Sequence, residues 1–403
     1  MNTLKRRFVA EGHLIDSGIL NRTFNLIIEE NGDYEIIEFR IGKTNLDPSF
    51  LEIEVKCENE SNLSNITSKL VNLGCYEKAI QEAVCKPALK DKSVPDDFYS
   101  STNYKSMVYV KGKWRDVKNQ RMDGVIVVSG EDVYCKKLRD IKQGDMILCS
   151  SDSVRIFPPF RERSADEFGF MQNDVSSERS VDVSVSMIAS EMKKQKAAGG
   201  KVVVVSGPVV VHTGGAPHLA ELIKKGYVQG LLGGNATAVH DIECAFYGTS
   251  LGVDLRTGKP VDEGHRNHMR AINRINHHGS IKNAVDCGDL KFGIMYEVIT
   301  NKIPFALAGS LRDDGPLPDT INDMIEAQAA YAEIIKGASM VIMLSSMLHS
   351  IATGNMLPAW VKTICVDINP AVVTKLADRG SGQAIGIVTD VGLFLRALTQ
   401  KLA

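Results

Sequence analysis

A series of continuous apolar runs, each closed by a polar residue and followed by a helical pattern, occupies the second half of this 403-residue chain. Lys201–Ser206 begins it, and Tyr227–Leu232, Ile303–Ala308, Ser339–Leu344, Lys362–Val366 and Ala384–Thr389 continue it. Runs of that kind, apolar throughout instead of alternating, belong to strands covered on both faces, and helices between them make those strands parallel. The spacing therefore predicts a Rossmann-like α/β domain over 181–403. Ligands of such sheets bind beyond the carboxyl ends of the strands. Standing at or just after those ends are Asn235, Asp313, Asp314, Ser346, His349, Asp367 and Asp390. Asp and Asn also cap helices that follow strands; several such ends in one sheet favour a binding edge. An acidic residue closing a strand suits a ribose diol, and Asp367 has no adjacent arginine to accept a 2′-phosphate, which favours NAD over NADP.

The stretch Gly233-Gly234-Asn235-Ala236-Thr237-Ala238-Val239-His240-Asp241-Ile242-Glu243 sharpens this reading. It places two glycines and an amide where a strand hands over to a helix. Glycine admits close backbone approach, and a helix start presents unpaired N–H groups to an anion. The pattern is not the usual dinucleotide fingerprint, so its weight comes from the strand ends that repeat the arrangement downstream.

The first half of the chain is built differently. Phe8–Ile15, Tyr34–Ile41 and Phe50–Cys57 read as strands, Gly18–Glu30 and Leu63–Leu73 as helices, and an extended segment near Glu77–Val84 completes β-α-β-β-α-β. That order predicts a ferredoxin-like α+β module over 1–95. Short strands around glycine-centred turns, Lys111-Gly112-Lys113 and Ser129-Gly130-Glu131, predict a small β-rich module with a linker over 96–180. A net charge of −2 gives no electrostatic case for nucleic acid or an anionic membrane. No apolar run approaches the roughly 18 residues of a membrane span, and the basic start Met1–Arg7 leads into no signal-peptide core. The eight cysteines form no C-x-x-C pair and read as reduced thiols of a cytoplasmic protein.

Five segments, Glu11–Ser17, Phe98–Asn103, Val205–Pro208, Gly233–Ala236 and Ser345–Ser350, carry a resemblance when taken together. With them the chain resembles the archaeal NAD-dependent ornithine cyclodeaminases, a family also labelled as a conserved region of lysine-oxoglutarate reductase/saccharopine dehydrogenase enzymes and related to the C-terminal part of cyanobacterial arginine dihydrolase/ornithine cyclodeaminase fusions. The resemblance implies conversion of L-ornithine to L-proline and ammonia with NAD as cofactor. It also implies NAD contacts at Asn235, Ala236, Asp314, Ser346, Met347, Leu348, His349, Asp367, Asp390 and Val391.

The chemistry has its own logic. Hydride removal from the α-carbon of ornithine leaves an electrophilic iminium on which the δ-amine closes; loss of ammonia and return of the hydride give proline. No net oxidation results, so the cofactor is recycled in place. The site needs a base, a group for the substrate carboxylate and a carboxylate for the δ-ammonium. Asp314, with Asp313 as the fallback, is the candidate base, since both lie in a proline-stiffened strand-end loop. Arg312 is the candidate carboxylate ligand. Asn103, and more weakly Lys43, are candidate substrate contacts from the first half. In His265–His278, Arg266, Arg270 and Arg274 share one helical face, read as solvated or a subunit contact in preference to an anion site, and no third ligand accompanies His265 and His268 to make a metal site. The resulting expectation is a homo-oligomeric enzyme acting on a small amino acid. A net NAD-linked amino-acid dehydrogenase and a non-catalytic NAD-binding sensor stay open beside it.

Overall fold

The computed structural model describes residues 4–15, 17–43, 47–79, 81–157, 181–261, 264–313, 315–378 and 384–403. The chain divides into two units, Met1–Gly169 with Pro358–Trp360, and Phe170–Leu357 with Val361–Ala403.

Within the first unit, a four-stranded antiparallel sheet runs in the order Asp33–Arg40, Ser49–Cys57, Leu4–Gly12, Tyr76–Glu77. Helices Ile19–Glu29 and Glu60–Asn72 connect it. This is the ferredoxin-like order that the β-α-β-β-α-β pattern predicts. Phe8, Ile27, Leu51, Ile53, Leu63 and Ile66 form its core. The second helix begins three residues before Leu63, because the Asn59 side chain accepts the Asn62 N–H at 2.8 Å and caps it there. The last strand is only Tyr76–Glu77, and the extended chain beyond it leaves the sheet: Cys85–Pro87 pairs with Met146–Leu148 in a second, seven-stranded sheet. Hydrogen bonding thus carries Cys85–Pro87, within the span 1–95, into the β-rich sheet. In that sheet Lys111 and Gly112 both adopt positive φ, 51° and 74°, in the two-residue turn joining Lys105–Val110 to Lys113–Lys118. Left-handed residues at both positions give the turn a twist matching the flanking strands.

The second unit is built on seven parallel strands. Their order is Thr320–Ile321, Phe305–Ala308, Gly230–Gly234, Lys201–Ser206, Ala338–Leu344, Lys362–Asp367, Ala384–Val388. Leaving aside the two-residue edge strand, which the sequence pattern did not show, this is the doubly wound order 3-2-1-4-5-6. Val203, Val205, Leu232, Val341 and Met343 are fully buried in the sheet core. The strand expected from Tyr227 starts only at Gly230 and runs through Gly233 and Gly234, so the glycines lie in the strand and the helix Asn235–Tyr247 begins at once after it. That helix has buried residues at every position from Thr237 to Glu243. A helix enclosed on all sides must find partners for any polar side chain it carries. Helices Val209–His212 and Asn267–His278 both pack against it.

Candidate active site

Two crossovers leave the middle of the parallel sheet in opposite directions, one after Lys201–Ser206 and one after Ala338–Leu344, which makes this the topological switch point. The backbones meet closely there. Gly207 donates its N–H to the Leu344 carbonyl at 2.8 Å, and a Cβ on Gly207 would collide with the Ser345 carbonyl oxygen. Ser345 itself has a φ of 46°, a conformation that side chains other than glycine seldom adopt and that recurs at ligand-binding turns. At the neighbouring strand end, a Cβ on Gly234 would stand 2.9 Å from His349 Nε2. Neither position has room for a side chain, so only glycine lets these segments approach as closely as they do.

His349 is fixed from behind. Tyr331 donates its hydroxyl hydrogen to the Gly233 carbonyl at 2.7 Å, and its oxygen lies 3.0 Å from His349 Nδ1. With the hydroxyl hydrogen already given away, Nδ1 must be the donor, and the bare lone pair is on Nε2 beside Gly234. Burial holds His349 below the usual imidazole range, which keeps that nitrogen unprotonated.

The other strand-end residues fall into place along this edge. Ser346 is the N-cap of helix Met347–Gly354 without a side-chain capping bond, and Met347 and Leu348 are exposed in its first turn. Asp367 is buried at the end of its strand, with Oδ1 accepting the Asn369 N–H at 2.8 Å. Asp390 caps helix Val391–Lys401 by accepting the Leu393 N–H at 2.9 Å. Val391, the first residue of that helix, is buried. Asn235 is buried and fully engaged: Nδ2 donates to Asp313 at 3.0 Å, while Oδ1 accepts from the Leu317 N–H at 3.1 Å and the Thr320 hydroxyl at 3.0 Å. Its side chain therefore ties the helix start to Asp313, Leu317 and Thr320.

Beside this crevice opens a cavity of about 690 Å³, the size of a small-molecule site, whose lining includes Asn235, Ala236, Arg312 and Asp313. Asp313 is less available as a base than its sequence position suggests. One of its carboxylate oxygens takes the Asn235 amide and the other the Ser310 N–H at 2.7 Å. Arg312 is exposed in the same loop. Asp314 lies outside the described residues. Asn103 is in the first unit, where it is buried and its carbonyl accepts the Ala359 N–H at 3.0 Å, and Lys43 is exposed there.

Sequence reasoning weighed His268 only as a metal ligand and missed its grouping with His212 and His240 around the cavity. His212, His240 and His268 line it from three different helices, with the His212 and His240 rings 4.7 Å apart and His240 and His268 6.5 Å apart. Among the described residues no group is arranged to hold a metal ion. The structure organises these histidines by hydrogen bonds. His240 Nδ1 lies 2.9 Å from a carboxylate oxygen of Glu243, which also accepts from the Thr249 hydroxyl at 2.9 Å and the Leu251 and Gly252 N–H groups at 3.3 and 3.2 Å. Burial alone would raise the Glu243 pKa; the hydrogen bonds from His240, Thr249 and Gly252 outweigh it and hold the carboxyl below its usual range. His212 Nδ1 is 2.6 Å from the Ser250 hydroxyl. Burial, with a smaller push from His240, lowers His212 to about 4, so it is neutral near pH 7. The signal for one pair was present in the sequence, since His240 and Glu243 are i, i+3 neighbours on a helix. No local signal pointed to His212. In the arginine-rich helix, Arg274 instead pairs with Asp289 at 2.7 Å and stacks over Phe246, which accounts for one of the three arginines. The His265 side chain lies outside the description.

Residues 186–398 match the model for the Rossmann fold of the arginine dihydrolase ArgZ-like C-terminal region, 105–185 its first region, and 5–104 the LOR/SDH bifunctional enzyme conserved region. An ornithine cyclodeaminase of Methanocaldococcus jannaschii is 52% identical, with 98% of this chain aligned to 96% of that protein. The chain belongs to the ornithine cyclodeaminase family. Solved structures related to the family extend the likeness. The apo crystal structure of ArgZ, an arginine dihydrolase from the ornithine-ammonia cycle in cyanobacteria, superposes with a TM-score of 0.86 at 43% identity over 99% of this chain and 58% of ArgZ. The ternary complex of AgrE with ornithine and NAD+ gives 0.55 at 48% identity over 99% of this chain and 57% of AgrE.

Proposed function

We propose that this protein converts L-ornithine to L-proline and ammonia, using bound NAD. The observation that carries the reading is a cavity of small-molecule size opening beside a doubly wound switch point, in a chain about half identical to a named ornithine cyclodeaminase over nearly its whole length. The AgrE complex, with ornithine and NAD+, supports the choice of both ligands.

The residues present suit the dinucleotide. Gly207 and Gly234 let the crossovers and the strand end meet closely at this edge, the start of helix Asn235–Tyr247 offers Asn235 and Ala236 N–H groups, and Asp367 offers a carboxylate to a ribose diol. Ser346 to His349, Asp390 and Val391 complete the set, together with Asp314. When bound, NAD would take a hydride from the α-carbon and return it after ring closure. The protein's own work is binding, orientation and proton transfer. Val239, Leu251, Met269 and Ile272 give the cavity apolar walls for a methylene chain, and Asp313 lies among the polar groups beside them. Arg312, an exposed residue of the cavity lining, is the residue we assign to the substrate carboxylate.

A homo-oligomer in a reducing, cytoplasmic setting completes the proposal; the eight cysteines are all unpaired, and no described helix is long and apolar enough to cross a membrane. The test is incubation of purified protein with L-ornithine, with and without added NAD. Equal amounts of proline and ammonia by mass spectrometry, without NADH accumulating in the near-ultraviolet, is the expected result. NADH in step with product would instead establish a net dehydrogenase, and tight NAD binding without turnover a sensor.

A further inference from the structure

We infer that His240, oriented by Glu243, is the proton carrier of ring closure, taking a proton from the substrate's δ-ammonium on Nε2 and returning it to the departing ammonia. The inference rests on the proposed ornithine reaction and goes beyond it in assigning the acid and base to one imidazole.

The geometry supports a group of this kind. Glu243 is fully buried and accepts four hydrogen bonds, so the Nδ1–H of His240 is a donor to a fixed carboxylate. That settles the tautomer and leaves the lone pair on Nε2. Nε2 makes no hydrogen bond to a described residue, and the ring lines the cavity. A carboxylate behind an imidazole also stabilises the imidazolium that forms when Nε2 takes a proton, the division of labour seen wherever a histidine base is held by an acid. Support extends one layer further: Asn267 donates to Thr249 at 3.0 Å, and Thr249 donates to Glu243. The titratable groups around His240 are His212 and His268 from the helices packed on either side, Glu243 on its own helix, and Asp313 and Arg312 from the loop across the cavity. His212 is neutral near pH 7, so a proton arriving on His240 meets no second imidazolium there. Asp313, by contrast, has both carboxylate oxygens engaged within the protein.

The proton balance leaves one transfer between the two nitrogens for a single carrier. Ornithine enters as a monocation, and proline with ammonium leaves with the same total charge, so the cycle consumes and releases no net proton. The α-ammonium gives a proton to solvent before its carbon can become the iminium. In ring closure an N–H bond of the δ-ammonium breaks and the Nε2–H bond forms; the freed pair makes the new C–N bond at the α-carbon, and the C=N pair moves onto the α-nitrogen. The ring nitrogen, now an ammonium, gives a proton to solvent and regains its pair, while Nε2–H breaks to protonate the α-amine. The ring nitrogen's pair forms the new C=N bond as the old C–N bond breaks, and the electrons of that bond leave on ammonia. The product ring amine and ammonia take back from solvent the two protons given to it, and the imidazole ends as it began.

The experiment uses the full chain with NAD. His240→Asn is expected to bind NAD within about threefold of the parent by titration and to lose kcat for proline formation by about 100-fold or more. Added imidazole is expected to restore part of the activity of His240→Ala. Glu243→Gln is expected to lower kcat by roughly tenfold or more while KM is held, the mark of a group acting through His240. Proline formation by His240→Asn within threefold of the parent would overturn the assignment and leave the ornithine reaction standing. A parent that makes no proline would remove the reaction itself, and the assignment with it. Should the variants fail to fold, carbethoxylation of the parent decides: diethyl pyrocarbonate is expected to modify His240, and L-ornithine to protect it, by peptide mass spectrometry. Modification undiminished by ornithine would place His240 away from the substrate and refute the role.

Discussion

Two glycines and a histidine show how much rests on single side chains at this edge. Gly207 faces a carbonyl of the opposite crossover, which cannot yield without moving the Ser345 turn, whereas Gly234 faces the tip of His349, which can swing away at the expense of its Tyr331 hydrogen bond. Overpacking typically costs about 1–3 kcal/mol. Gly207→Ala is expected at or above the upper end and Gly234→Ala near the lower, so thermal melts should rank Gly207→Ala as the less stable. Gly234→Ala should also weaken NAD binding by roughly tenfold in a titration. His212 makes a different kind of prediction. Its folded pKa is about 4 against an ordinary imidazole value of about 6.5, so between those limits the unfolded chain binds a proton that the folded chain refuses. Its contribution is present above pH 6.5 and is lost as pH falls towards 4. His212→Asn should therefore lose less Tm than the parent between pH 7 and pH 4.5, and an identical loss in both would contradict the burial argument. The sequence made Gly234, Asn235 and Asp367 legible because each stands at a recognisable strand end. It left the His212–His240 contact dark, since that pair meets only when two separate helices pack.

Helices are where the buried charge of this unit is settled. Asp241 points away from the cavity histidines' network and caps helix Ile294–Thr300, accepting the Ile294 and Met295 N–H groups at 2.8 Å each. Burial raises its carboxyl to about 6, although those two N–H bonds pull the other way. Because the folded pKa lies above the ordinary aspartate value of about 3.8, this group's contribution is full below that value and is lost as pH rises through about 6, the opposite sense to His212. Asp241→Ala leaves two N–H groups at a helix start without their partner, at about 1–3 kcal/mol in urea unfolding. Its deficit should be larger at pH 4.5 than at pH 7.5, and a deficit independent of pH would mean that the carboxyl is not titrating in this range. At the element level the strands and most helices could be read from periodicity. Thr320–Ile321 could not, being two residues long, and the exit of Cys85–Pro87 into another sheet is set by pairing partners some sixty residues away, which no local pattern encodes.

At the scale of the whole molecule, the crevice at the switch point makes folding and cofactor binding thermodynamically one problem. A ligand that binds only the folded state stabilises it by RT ln(1 + [L]/Kd), about 2.7 kcal/mol when its concentration is one hundred times Kd. The second unit contains both the sheet whose carboxyl ends form the proposed cradle and the helices whose histidines line the cavity, so occupancy at the cradle should be felt across that unit's core. Adding NAD to cofactor-free protein is thus expected to raise Tm progressively with concentration, with no plateau at saturation, as linkage requires. The same titration on Gly207→Ala should give a displaced curve that starts lower and begins to rise only at higher NAD, because the colliding Cβ distorts the crossover that the dinucleotide would approach. A Tm in the parent that ignores NAD at every concentration would show that the cradle read from Gly207, Gly234 and Asp367 is a packing solution for two crossovers and holds no nucleotide.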